Sequence, residues 1–194
     1  MARTKQFNEE EILDKAISLF WDKGYNGASA QDLVNHLGLS RSSIYDTFSD
    51  KHTLFIKALQ QYRKQNGDGL KEVLVNSKDI KETIRAIFKQ AVLETLQASE
   101  NKGCFMVNTT TELAIHDKEI AKIVNDNRNE VQGFFFEALQ KGQEIGTISK
   151  DKDALALARF IFNSYSGIRV SARSSGMDKA SLDDIVKVTL SVLD

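Results

Sequence analysis

The sequence predicts an all-α chain: a small N-terminal bundle carrying a helix-turn-helix, with a larger helical domain behind it. Three observations carry this. Apolar residues recur at the period of about 3.6 expected of amphipathic helices, and no alternation of period two is sustained. Ser, Asn and Asp stand in front of those stripes, often with an acidic residue three positions on, as N-caps and capping boxes require. There is no Pro among the 194 residues, so no helix is broken by a missing backbone N–H.

Taken in order, Asn8 caps a first helix with Glu11 at the box position, and Ile12, Ala16, Leu19 and Phe20 share one face. Gly24 and Gly27 punctuate its exit. Ser29 caps a second helix with Asp32 at the box position, and Leu33 and Leu37 face inward. Gly38 makes the turn, where a positive φ costs little. Ser40 caps a third helix whose Ile44 and Phe48 point to the core. Ser49 or Asp50 opens a fourth, with Leu54, Phe55, Ala58 and Leu59 as its stripe.

The polar runs NGDG at 66–69 and VNSKD at 75–79 interrupt the pattern, and the domain junction is placed there, with the fourth helix bridging. Asp79 with Glu82 restarts the capping pattern ahead of Ile80, Ile84, Ile87, Phe88, Ala91 and Val92. Gly103 opens the short segment CFMVNTTTELA. Asp117 begins a long helix, with Ile120, Val124, Val131, Phe135 and Leu139 on its stripe, which Gly142 and Gly146 end. Asp151 opens a helix that is apolar nearly all round from Leu155 to Val170, with Gly176 ending that region, and Ser181 with Asp184 caps the last helix.

Composition excludes more than it selects. A chain that is 41% hydrophobic and 27% charged is ordinary for a globular protein. A net charge of −1 gives no global attraction to nucleic acid, and residues 1–65 hold nine Lys/Arg against eight Asp/Glu. Any DNA contact must therefore come from local arrangement. One Cys makes no internal disulfide, which fits a reducing, cytoplasmic setting. No apolar stretch reads as a signal peptide or approaches the roughly 20 residues that span a bilayer. His36, His52 and His116 are scattered, so no metal site is expected and no cofactor is implied. The Asn108-Thr109-Thr110 sequon would be unused in a cytoplasmic chain. An enzyme with Cys104 as nucleophile and His116 as base lacks any orienting or oxyanion motif.

The specific signal is DLVNHLGLSRSSIYDTFSDK at 32–51, a helix, a Gly turn and a second helix of the kind that enters the major groove. With Ile44 and Phe48 inward, about 100° per residue puts Ser42 and Asp46 outward and Ser43 and Tyr45 on the flanks. Arg41 suits a bidentate pair with guanine, worth roughly 1–3 kcal/mol of discrimination. Lys51, Ser29 and Arg3 or Lys5 on the N-terminal arm supply sequence-blind attraction to phosphate.

These positions resemble the DNA-binding domain of the TetR family of bacterial transcriptional repressors. The resemblance rests on the Ile12–Phe20 stripe, Lys23–Gly24–Tyr25, Ser29, Leu33–Val34, Leu37–Gly38–Leu39–Ser40, Ile44–Tyr45, Phe48 and Lys51. It implies a helix-turn-helix DNA-binding domain over 1–65 and an effector-binding and dimerisation domain over 66–194. It implies phosphate contacts at Ser29, Tyr45 and Lys51, with Arg41, Ser42 and Ser43 opening the recognition helix. Two positions depart from the family: Asp46 replaces a common His or Tyr, and Thr47 a frequent aromatic. An acid near phosphate is unfavourable unless it orients Arg41 or accepts from a cytosine amino group.

The resemblance further implies a homodimer reading a double-stranded, near-palindromic operator. Its four-helix interface would come from the helix near 151–174 and the last helix. The latter carries Leu182, Ile185, Val186, Thr189 and Leu193 on one side and Val188 and Val192 on another. The expected trigger is a small-molecule effector, neutral or weakly polar, with Phe88, Phe105, Phe135, Phe162 and Tyr165 as apolar walls. Asn108, Thr109 and Asn163 are its uncharged anchors, and Glu112 and Arg159 the nearby charges. The alternatives are a thiol-sensing repressor using Cys104, beside Lys102 at a helix start, and an effector-independent regulator. Repressor and activator remain alternatives, with repressor preferred.

Overall fold

The computed structural model describes residues 7–97, 102–171 and 178–194. Among these, nine helices and no strand are found: α1 Glu9–Gly27, α2 Ala30–Leu37, α3 Arg41–Phe48, α4 Lys51–Val75, α5 Ile80–Gln97, α6 Phe105–Glu112, α7 Lys118–Glu144, α8 Ala154–Ser171 and α9 Lys179–Ser191. The all-α expectation holds. Arg3, Lys5 and Gly176, named from the sequence, lie outside the described residues.

The N-terminal boundaries follow local chemistry. Asn8 accepts from Glu10 N–H. Ser29 and Asp32 complete a reciprocal capping box at the start of α2. Gly38 adopts φ 68° and its N–H donates to the Val34 carbonyl, closing α2. Ser40 accepts from Ser43 N–H, and Asp50 from Thr53 N–H. Between them Ser49 sits at φ 67°, ψ −55°, with Asp50 N–H on the Phe48 carbonyl, a three-residue turn that joins α3 to α4 with no spare length.

Several boundaries differ from expectation. Helix α4 runs unbroken through NGDG, since a buried face on both sides outweighs the low helix propensity of Gly, Asn and Asp. Gly67 is itself buried and faces the Phe134 ring. Residues 65 and 66 thus lie within α4, the helix expected to bridge the two domains. Asp153, not Asp151, accepts from Leu155 and Ala156 N–H at the start of α8. Asp178, not Ser181, caps α9. Gly142 remains inside α7, packed under Ile148, and Gly146 at φ 80° makes the turn beyond.

Two apolar cores result. The first gathers α1 to α4 around Phe20, Phe48 and Phe55, each almost fully buried and each contributing roughly 1.5–3 kcal/mol by its transfer from water. It also takes in Phe105, Met106 and Leu113 from α6 and its exit, and Ile120, Ile123 and Val124 from α7. The second joins the end of α4, α5, the C-terminal half of α7, α8 and α9 around Phe88, Phe135, Ile161 and Leu182. Helix α7 therefore serves both cores and α6 adds to the first, so the head's core does not end at the end of its own sequence.

Candidate nucleic-acid interface and cavity

The recognition helix α3 buries Ile44 and Phe48 and exposes Arg41, Ser42 and Asp46, as the helical phase requires. Ser43 and Tyr45 are half-buried on its flanks, and Tyr45 packs against the first core. The Arg41 guanidinium lies over the Tyr45 ring, 5.6 Å from its centre. Ser40 Oγ sits 3.0 Å from Ser42 Oγ and 2.8 Å from Ser43 Oγ, a hydroxyl cluster that keeps the helix start narrow.

Two phosphate candidates are more constrained than the sequence suggests. Ser29 Oγ donates to Asp32 at 2.7 Å, and Asp32 also pairs with Lys23 at 2.6 Å. Lys23 and the Ser29 hydrogen bonds hold the Asp32 carboxyl far below its usual range, so it stays charged and accepts from the Ser29 hydroxyl. Lys51 lies 4.4 Å over the Tyr25 ring. Burial lowers its pKa, with Glu112 and Asp32 opposing.

One carboxylate makes three hydrogen bonds between this head and the body. Glu112, at the last position of α6, accepts from Tyr25 N–H at 3.2 Å, Asn26 N–H at 2.8 Å and Asn26 Nδ2 at 3.0 Å. Gly24, at φ 73°, turns those amides toward it, and a Cβ there would stand 2.9 Å from Glu112 Oε2. Nearby, His52 Nε2 on α4 meets Asp117 Oδ2 at 2.7 Å, the cap of α7. Backbone hydrogen bonding from Ile120, then His52, lowers the Asp117 pKa.

Between α4, α6, α7 and α8 lies a cavity of about 300 Å³. Its apolar wall is Leu70, Met106, Val107, Val124, Val131 and Phe162. Polar atoms come from Asn66, Thr110, Thr111, Asn125 and Ser166, and from Tyr62 and Tyr165, whose phenol pKa values burial pushes up, so both stay protonated. Cys104 also lines it, with Sγ 3.8 Å from Tyr62 Oη. So do Arg128 and Arg169.

Of the ten walls, anchors and nearby charges expected from the sequence, Phe162 and Tyr165 line this space and eight do not, Asn163 among them as an exposed residue of α8. Phe88 and Phe135 are filled core, fully shielded by their neighbours in the second cluster. Phe105 points the other way, edge-on to Phe55 at 5.6 Å and Tyr62 at 5.4 Å, as a wedge in the head's core. Asn108 donates to the Lys102 carbonyl at 2.8 Å, which also receives Trp21 Nε1, so its amide holds the turn before α6. Thr109 is buried in α6 with its hydroxyl unpartnered. Glu112 serves the head, and Arg159 is exposed. Arg169, Arg128 and Tyr62 are among the cavity residues that the sequence did not single out, and a signal existed for Arg169 alone. The one available signal was a cation near the end of an apolar helix, four residues after a tyrosine.

Comparison with known proteins agrees with this geometry. Residues 12–58 match the model for bacterial regulatory proteins of the tetR family, and residues 80–182 that for the tetracyclin repressor-like C-terminal domain. The chain is 34% identical over 196 residues to the HTH-type transcriptional regulator YezE of Bacillus subtilis strain 168, covering 100% of both. It is 28% identical over 187 residues to the HTH-type transcriptional repressor ComR of Escherichia coli K12, covering 96% of this chain and 87% of that one. Among solved structures, a cysteine mutant of the TetR family regulator CifR in complex with 26-bp operator DNA superposes with a TM-score of 0.83 at 25% identity, covering 99% and 100% of the two chains. A helix-turn-helix presented by a head of this shape and a matched helical body lead to one conclusion: the chain belongs to the TetR family of bacterial transcriptional regulators.

Proposed function

We propose that the protein is a homodimeric repressor that holds a near-palindromic operator and releases it when a small molecule enters the cavity between α4, α6, α7 and α8. One observation carries the reading. Helix α6 presents Met106, Val107, Thr110 and Thr111 to the cavity, and its last residue, Glu112, grips the backbone of the head. A ligand that favours a displaced α6 therefore favours a displaced head, and differential affinity for the two arrangements is all that release requires. Dimerisation is supported by apolar side chains left exposed on α8 and α9: Leu155, Phe160, Val170, Ile185 and Val188. Two recognition helices fixed by a twofold axis read two half-sites.

The test is operator binding across salt concentrations. Tyr45→Ala and Lys51→Ala are expected to weaken operator and scrambled duplexes alike, with the salt slope falling by about one unit for Lys51→Ala. Arg41→Ala is expected to relax preference at one or two base pairs. Unchanged binding in all three variants sinks the assignment of α3 as the reading helix.

A second reading, release by oxidation or alkylation of Cys104, is favoured by the position of Sγ in the cavity wall. Cysteine mutants of the relative CifR are the forms seen bound to operator DNA. Oxidant-driven release of wild type that is lost in Cys104→Ser, with no release by any reversible ligand, replaces the cavity reading.

A further inference from the structure

Among the described residues, the cavity wall contains two arginines and no carboxylate. Arg169, on α8, is the telling one. Its side chain is 18% exposed, and Nη2 reaches Tyr165 Oη at 2.9 Å and Glu94 Oε2 at 2.7 Å. Its Nε is buried with no partner. A buried guanidinium whose donors are only partly used is costly unless something completes its shell, because desolvated donors and charge lose their water without replacement. Glu94 compensates incompletely, since its own side chain is 44% exposed. Arg128, on α7, is exposed at the cavity's edge and enters no ion pair among the described residues.

We propose that the cavity binds an amphipathic organic monoanion, a carboxylate or sulfonate on an apolar body, with its charged head at Arg169 and Arg128. Two guanidiniums against the single Glu94 carboxylate leave one surplus positive charge, which matches a monoanion rather than a phosphate dianion. The planar fork of arginine suits two-point recognition of a carboxylate. The six apolar residues of the same wall, Leu70, Met106, Val107, Val124, Val131 and Phe162, suit a short alkyl chain or one aromatic ring. This revises the neutral ligand expected from the sequence, for which Glu112 and Arg159 were the only charges in view. It rests on the cavity being the effector site, and the experiment separates the two claims.

Isothermal titration of the full-length protein with octanoate, octanamide, 4-phenylbutyrate and 4-phenylbutanamide compares each acid with its neutral isostere, and sodium sulfate tests charge alone. Each carboxylate is expected to bind at least about ten-fold more tightly than its amide, with sulfate weaker than both acids. Arg169→Gln is expected to erase that preference while keeping amide binding, and Arg169→Lys to restore part of it. Thermal unfolding of each variant checks the fold. Should Arg169→Gln not fold, Arg128→Gln decides: a few-fold loss for the acids alone is expected, with a shallower salt dependence. Amides that bind as tightly as the acids, no binding of either acid up to millimolar concentration, or a preference that survives both Gln variants overturns the proposal. Arginine-dependent acid binding that leaves operator affinity unchanged keeps the anion site and removes the effector reading. Operator release by the amides alone does the reverse.

Discussion

The head and the body solve the same problem, burying the apolar faces of helices, to different degrees of completion. Helices α1 to α4 close their core within one chain, with Phe20, Phe48 and Phe55 almost fully covered and each entry capped by its own Asn, Ser or Asp. Every large apolar side chain left exposed among the described residues lies at Val73 or beyond, including Phe160 on α8 and Val188 on α9. The body also keeps a cavity with a partly paired arginine, where the head has filled space. Under the proposed function, the difference corresponds to two tasks. A module that reads DNA must hold its side chains in one geometry. A module that pairs and responds needs unfinished surface and a space whose filling shifts the balance between arrangements.

The sharpest way to test this contrast is to open the closed region. Phe55→Ala removes a ring that touches Phe20, Tyr25 and Phe105. It is expected to cost about 3–5 kcal/mol in chemical denaturation. Phe160→Ala, at a ring 44% exposed in the single chain, is expected to cost far less of the protomer's stability. Equal losses would show that the head's core is no better closed than the body's.

The open region is broken differently. Val188→Asp and Phe160→Glu are expected to give a monomer in sedimentation, because a carboxylate buried in an apolar interface costs several kcal/mol. Helical content should persist. The sequence points to Ile185 and Val186 alike for this test, but Val186 is core, only 6% exposed beneath the second cluster. A charge at Val186 would therefore disrupt the fold rather than the pair. A dimer that survives both surface charges places the interface elsewhere.

Between the two regions, Glu112→Gln is expected to lower stability by about 1.5–3 kcal/mol, the usual worth of hydrogen bonds to a charged group. Its specific signature is loss of hydrogen-exchange protection at the Tyr25 and Asn26 amides, which Glu112 accepts from. Unchanged protection at those two amides would remove Glu112 as the coupling contact.

What the sequence revealed follows the same division. The head was legible because its determinants are local: a cap and the residue it serves lie three positions apart, and Gly38 closes α2 with a bond to Val34 four residues back. The body was legible as helices but not as a site. Periodicity shows that α8 is apolar; it does not show that Arg169 meets Glu94 of α5 and shares a cavity with Tyr62 of α4. The sequence places Phe105 among the aromatic walls of a cavity, yet its ring packs edge-on against Phe55 and Tyr62 in the head's core, a long-range packing that periodicity does not show. NGDG read as a junction because local propensity argues against a helix there, and packing of Gly67 under Phe134 overrides it.

The smallest expected effect lies at the second bridge, His52 to Asp117, and it sharpens the comparison by asking how much charge contributes to joining the regions. Asp117 is lowered from its ordinary value of 3.8, chiefly by the Ile120 N–H and then by His52. A carboxylate with a depressed folded-state pKa contributes stability that is fully present above its unfolded value. That contribution fades as pH falls through the lowered folded value. Asp117→Asn keeps a competent N-cap for α7 and removes the charge. It should therefore cost about 1 kcal/mol or less at neutral pH, as expected for a partly exposed pair. The wild-type advantage should hold from neutral pH down to about 4 and vanish below it. Chemical denaturation of both proteins across that range reads the difference directly. His52→Ala run alongside divides the effect: if the cap dominates, most of the pH-dependent advantage survives without the imidazole, whereas a contact that joins head to body loses it. An advantage that grows as pH falls below about 4 would reverse the assigned sign and exclude an ionised Asp117 as the stabilising partner.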